Sequence, residues 1–197
     1  MTVTFDSLGF ISDYSAEPEP EFPGDGQWQD PVFGFDRDGT LMEPFESRWG
    51  TPLTVAFDAT RTGRWVGFFA AGGLGGVTGL IACPLPTESC VLNDGLAYVV
   101  SVDNPRKGAS LASNQVTQVV RVPTLPLVLL VSFCDMVALG SSGIAWRSPR
   151  LALDDLRVES VSEEAISCSR YVISGSSTIQ LDPLTGKVMA GTPFDET

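Results

Sequence analysis

From residue 31 onward the sequence is built of apolar runs of four to eight residues, rich in Val, Ile, Phe, Leu and Thr, separated by Gly, Pro, Asp or Asn. That punctuation constrains the fold more than anything else in the chain. β-branched and aromatic residues fit a pleated, half-buried surface, and the breaks supply turn chemistry. Candidate strands are Val32–Asp36, Leu53–Asp58, Arg64–Ala71, Val77–Cys83, Cys90–Leu92, Leu96–Val102, Gln115–Val122, Leu127–Phe133, Met136–Leu139, Ile144–Arg147, Leu156–Val161, Ala165–Ile173, Thr178–Leu181 and Val188–Ala190. Asn93-Asp94-Gly95 and Thr185-Gly186 lie between them. Tight hairpins need positive φ, which Gly and Asn reach at little steric cost, so the connections read as antiparallel. No stretch keeps a 3.6-residue period, and 20 glycines with 14 prolines leave little room for long helices. Only Lys107–Asn114 suggests a single helical turn. The expected fold is all-β, an antiparallel sandwich of two packed sheets or a partly closed barrel.

The 197 residues suit one domain, and 43% apolar content is enough for a sizeable core. Net charge is −12 and unevenly spread: residues 1–36 hold eight acids and no Lys or Arg, leaving 16 acids against 12 bases in the rest. Residues 13–30, DYSAEPEPEFPGDGQWQD, combine Pro, Glu and Gly with few aliphatics. That composition predicts an irregular acidic arm over residues 1–30, anchored through Tyr14, Phe22 or Trp28, ahead of a single all-β domain over 31–197. The negative field opposes nucleic acid and anionic lipid, and neither is an expected partner. The first twenty residues lack a basic region followed by an apolar one, so the chain is expected in the cytoplasm. The run Leu125–Cys134 is about half a membrane span and contains Pro126, which favours a buried strand. Cys83, Cys90, Cys134 and Cys168 show no C-x-x-C spacing and read as reduced core thiols; a Cys83–Cys90 bridge is the alternative in an exported protein.

The stretch Val32-Phe-Gly-Phe-Asp-Arg-Asp-Gly-Thr-Leu41 resembles the first motif of the haloacid-dehalogenase-like phosphotransferases. The resemblance implies a nucleophilic Asp36, an acid–base Asp38 and Mg²⁺ held by the carboxylates. It also requires a downstream Ser or Thr, then a Lys, then an acidic pair. Ser132 and Asp154-Asp155 fill two of those places, but the only lysines, Lys107 and Lys187, lie outside the interval. Asp36–Gly39 therefore reads as a polar hairpin turn. The glycine run Ala70–Gly79 lacks the following helix a phosphate cradle needs and reads as a hairpin between Trp65–Ala71 and Val77–Cys83. Histidine is absent, which removes the usual Ser-His-Asp and Cys-His systems and most zinc or haem sites. Glu159, Glu163 and Glu164 are the nearest candidates for paired-carboxylate glycoside chemistry, and a polar turn explains them as well. No cofactor, metal site or catalytic residue is expected.

Trp146, Arg147 and Arg150 in Gly143-Ile-Ala-Trp-Arg-Ser-Pro-Arg-Leu151 form the candidate binding site, because aromatic and guanidinium groups often dominate interfaces. The competing reading is a Trp packed between sheets with arginine stems laid across it. The segment Gly143, Ala145–Ser148, Arg150-Leu151, Asp154–Leu156, with the later Leu181-Asp182 and Thr185-Gly186, resembles a pattern in uncharacterised bacterial β-rich proteins over residues 73–190. That resemblance implies a β fold and no activity. The functional expectation is a noncatalytic protein-interaction domain. The alternative is a carbohydrate or small-ligand module with Trp65, Trp146 and Tyr98 lining a groove. Third comes a metal-dependent phosphatase using Asp36 and Asp38.

Overall fold

A computed structural model of the chain describes residues 3–43, 46, 50–73, 75–192 and 194. In chain order the strands are β1 Phe5–Asp6, β2 Tyr14–Pro18, β3 Val32–Phe35, β4 Leu41–Met42, β5 Leu53–Ala59, β6 Gly63–Phe69, β7 Gly79–Ala82, β8 Glu88–Asn93 and β9 Leu96–Ser101. A 3₁₀ turn, Pro105–Lys107, precedes β10 Ala109–Ser113, β11 Gln118–Val122, β12 Leu127–Val131, β13 Met136–Gly140, β14 Gly143–Arg147, β15 Asp154–Val161, β16 Ile166–Val172, β17 Gly175–Leu181 and β18 Val188–Ala190. The expected helical turn over Lys107–Asn114 is thus corrected. The turn closes at Gly108 (φ +83°), and the chain continues as β10, an edge strand paired to β9.

The strands form four sheets: I (β2-β5-β6-β3-β4), II (β1-β7-β8-β9-β10), III (β11 to β14 in sequence order) and IV (β15 to β18 in sequence order). All pairings are antiparallel except β1 with β7 and β3 with β6. The fold is all-β and sandwich-like with no closed barrel, but the packing runs through four sheets rather than two.

Burial follows the two-residue period of a strand. Along β9, Leu96, Tyr98 and Val100 join Phe35, Phe57, Trp65 and Phe69 of sheet I in one core. The intervening Ala97 and Val99 join Val128, Leu130, Val137 and Leu139 of sheet III in a second. The opposite face of sheet III, with Leu129, Val131, Met136 and Trp146, meets Leu156, Val158, Ile166, Cys168, Ile179 and Leu181 of sheet IV in a third. Sheets II and III are therefore apolar on both faces, which is why β9, β12 and β13 are continuous hydrophobic runs. β15 has water on one side and alternates from Leu156 to Glu159.

Within the acidic N-terminal segment, β1 pairs with β7 and β2 with β5, and Tyr14 is buried with its hydroxyl donating to the Glu88 carbonyl at 2.9 Å. Phe22 stays largely exposed, edge-on to Trp28 at 5.6 Å. The glycine loop after β6 carries the chain from sheet I to sheet II instead of closing a hairpin between them. A Cβ on Gly76 would sit 2.6 Å from the Val116 carbonyl oxygen, and one on Gly72 would overlap the Asp94 carbonyl, so these glycines serve close backbone approach.

Candidate functional site

Trp146 and Arg147 are neighbours in β14 and therefore point to opposite faces of sheet III. Trp146 faces the third core, 9% exposed, with Nε1 donating to the Pro183 carbonyl at 2.9 Å. Gly186 (φ +67°) lies so close to the indole that a Cβ there would stand 2.7 Å from Cζ3. The Asp182–Gly186 turn is set by the Asp182 carboxylate, which accepts from Leu184 N at 2.8 Å and Thr185 Oγ1 at 2.9 Å and titrates below the usual Asp range because of those bonds. Thus the Ala-Trp-Arg-Ser and Leu-Asp-x-x-Thr-Gly ends of the sequence pattern meet in space: the turn roofs the tryptophan.

Arg147 projects the other way. Its Nη1 donates to the Ala112 carbonyl at 2.6 Å and its Nη2 to that of Leu111 at 3.4 Å, tying edge strand β14 to edge strand β10 and covering carbonyls that an incoming strand could have used. Arg150 donates from Nε to the Ala152 carbonyl at 3.0 Å and from Nη2 to that of Leu153 at 3.4 Å. The three residues singled out by sequence therefore do not converge on one patch.

What lies beside Arg150 is an exposed apolar end of sheet IV. Leu153 N donates to the Tyr171 carbonyl at 2.9 Å, which places Leu153 beside β16. Ile173, in the two-residue turn joining β16 to β17, is 72% exposed, with Tyr171 at 49% and Leu153 at 37%. Arg170, between Tyr171 and Ser169, turns inward and donates to the Leu151 and Thr192 carbonyls, fixing β16 against its surroundings. A rigid strand end thus carries an aromatic ring, two aliphatic side chains and a guanidinium. Tyr171 and Ile173 were legible as a strand end in the sequence, but a hydrophobic residue in a strand carries no local mark of which face it occupies.

The other sequence candidates are separated or engaged. Asp36 follows β3 of sheet I, Ser132 follows β12 of sheet III and Asp154 opens β15 of sheet IV, so the three do not assemble. The Asp36 carboxylate accepts from Arg37 N at 2.8 Å, and that of Asp38 from Thr40 N at 2.9 Å and Oγ1 at 2.7 Å, in a turn joining β3 to β4. Trp65 and Tyr98 share the first core while Trp146 sits in the third, so they line no common groove. Their polar atoms are spent on the Val102 and Ala70 carbonyls. Glu159 accepts from Ser169 Oγ, and Glu163 and Glu164 lie exposed in the β15–β16 turn. All four thiols are free. Burial pushes Cys90 and Cys168 up to about 12 and raises Cys83 as well. Among the described residues no group of three His, Cys, Asp or Glu could hold a metal ion, and no helix is long and apolar enough to cross a membrane. The chain matches no protein-family model, no curated protein and no solved structure.

Proposed function

We propose that the protein is a noncatalytic interaction domain that docks a partner protein on the end of sheet IV formed by Leu153, Tyr171 and Ile173, with Arg150 at its border. The observation that carries this reading is the exposure of Tyr171 and Ile173 on a strand end whose backbone is fixed by Arg170 and by the Leu153–Tyr171 hydrogen bond. Rigid aromatic anchors and arginine are the residue types that supply most binding energy at interfaces, because they bury large area with little loss of side-chain freedom. The partner surface should offer an apolar pocket for the Tyr171 ring and the Ile173 side chain. The setting is the cytoplasm, where four unpaired thiols remain reduced, and the −12 charge disfavours nucleic acid as the partner.

The test is affinity capture from native lysate with the full chain and with a Tyr171→Ser/Ile173→Ser variant, both verified as folded. A partner enriched by the parent should be lost from the variant. A partner held equally by both sinks this placement. The acidic N-terminal segment is best tested by neutralising Glu19, Glu21 and Asp25 rather than by deleting residues 1–30, since deletion removes β1 and β2 from their sheets.

A further inference from the structure

Among the described residues the arginines are almost all committed. Arg37, Arg121, Arg147, Arg150 and Arg170 donate to backbone carbonyls. Arg61 pairs with Asp103 at 3.7 Å, Arg64 with Asp30 at 3.2 Å and Glu17 at 3.5 Å, and Arg157 with Asp155 at 2.8 Å. Arg106 is different. Among the described residues it makes no hydrogen bond or ion pair, and its guanidinium stands over the Phe33 ring at 5.4 Å.

Arg106 also lines two adjoining clefts. One, of ≈ 210 Å³, lies where the start of β3, β6 and the Pro105–Lys107 turn come together, and Pro31, Phe33, Trp65 and Pro105 give it apolar walls. The other, of ≈ 300 Å³, is bordered by Asp38, Thr40 and Lys107. The acids around these clefts are largely answered already: Asp103 by Arg61, Asp30 by Arg64, and Asp38 by its own Thr40. Glu88 faces Lys107. What remains is one open guanidinium over an aromatic ring, with Asp103 ion-paired to Arg61 and Asp38 held as a carboxylate by Thr40.

We propose that this cleft binds a small organic carboxylate with a flat apolar body, the carboxylate on Arg106 and the body against exposed Pro31 and the edges of Phe33 and Pro105 that line the cleft. A planar guanidinium presents two parallel N–H donors that match a carboxylate, and stacking over Phe33 holds the fork in place before the ligand arrives. One unpaired guanidinium with the Asp38 carboxylate lining the same pair of clefts suits a monoanion over a phosphate dianion, because its two parallel donors match one carboxylate and the Asp38 charge, hydrogen-bonded but not neutralised by Thr40, repels a second negative charge. The site is independent of the sheet IV surface.

The experiment is a titration of the full chain with benzoate, followed by amide and arginine Nε–Hε chemical shifts. Benzamide serves as the neutral analogue and phenyl phosphate as the dianion. Benzoate should give saturable shifts at Phe33, Arg106 and Lys107. Its affinity should fall about tenfold or more in Arg106→Gln, an exposed position, with urea unfolding used to verify that the variant is folded. Benzamide should produce no saturable shift and phenyl phosphate a weaker one. Absence of saturation by benzoate, an unchanged affinity in Arg106→Gln, or an equal response to benzamide overturns the assignment. Tighter binding of phenyl phosphate overturns the choice of carboxylate.

Discussion

Replacing Gly186 by Ala isolates the packing of Trp146 from simple backbone strain when it is set beside Gly63→Ala. Both glycines have nearly the same φ, +67° and +73°, but nothing lies within 4 Å of a Cβ on Gly63, whereas one on Gly186 would meet Trp146 Cζ3 at 2.7 Å and Cδ2 at 2.9 Å. The left-handed conformation costs an alanine roughly 1–2 kcal/mol. The stiffer unfolded chain returns about 0.4–1 kcal/mol of that. Gly63→Ala should therefore destabilise by about 0–1.5 kcal/mol. Gly186→Ala carries the same terms plus a contact about 1 Å inside the ordinary carbon–carbon separation. The indole cannot retreat, being buried with its N–H held by Pro183. Overpacking of this kind costs typically 1–3 kcal/mol. Equilibrium urea unfolding of both variants should thus differ by about 1–3 kcal/mol, with unchanged m-values. Adding Trp146→Phe, which trims the ring, should make the Gly186→Ala loss smaller and the pair non-additive. Equal stabilities for Gly186→Ala and Gly63→Ala would falsify the claim that this turn roofs a fixed indole.

Three further outcomes follow from the geometry. Gln118 extends its amide from β11 to the open edge of β15, accepting from Val158 N at 2.9 Å and donating to Val158 O at 3.1 Å, so Gln118→Ala should lower stability by about 1–3 kcal/mol in urea unfolding, and a loss under ~0.5 kcal/mol contradicts that role. With Cys83, Cys90 and Cys168 buried and their thiols raised by burial, a thiol-specific reagent at pH 8 should label Cys134 first and the other three only on unfolding; rapid modification of all four in the folded protein refutes the packing. Burial raises the half-buried Glu88 carboxyl above the ordinary Glu range, partly opposed by Lys107. A raised folded pKa means its stabilising share is complete at low pH and is lost as pH climbs through that value. Glu88→Gln should then gain stability relative to the parent at neutral pH, with the gap narrowing as pH falls below about 4; the opposite trend in pH-dependent unfolding contradicts this.

Much of the fold was legible because its cause is local. Turn dipeptides and β-branched runs mark where strands begin and end, and the placement of Trp146 and Arg147 on opposite faces follows from their adjacency in any strand. The missed strands share a different origin. β2 contains Glu17 and Pro18, and β10 is Ala-Ser-Leu-Ala-Ser; neither has strong strand propensity, and each exists because β5 or β9 presents a free row of backbone donors and acceptors. The same holds for the site: Trp146 is buried because a turn closing at Gly186 lies on it, and Arg106 stands open because, among the described residues, the acids near it are engaged elsewhere, Asp103 with Arg61 and Asp38 with Thr40. The sequence by itself determined that this chain would be all-β with mostly antiparallel pairing, and that without histidine it could carry no histidine-based catalysis. Only the tertiary structure decided that four sheets stack, that the strands of the inner two are buried on both faces, and which polar side chains were left facing water. Strand propensity and turns act over a few residues, whereas sheet pairing and burial depend on partners tens of residues away.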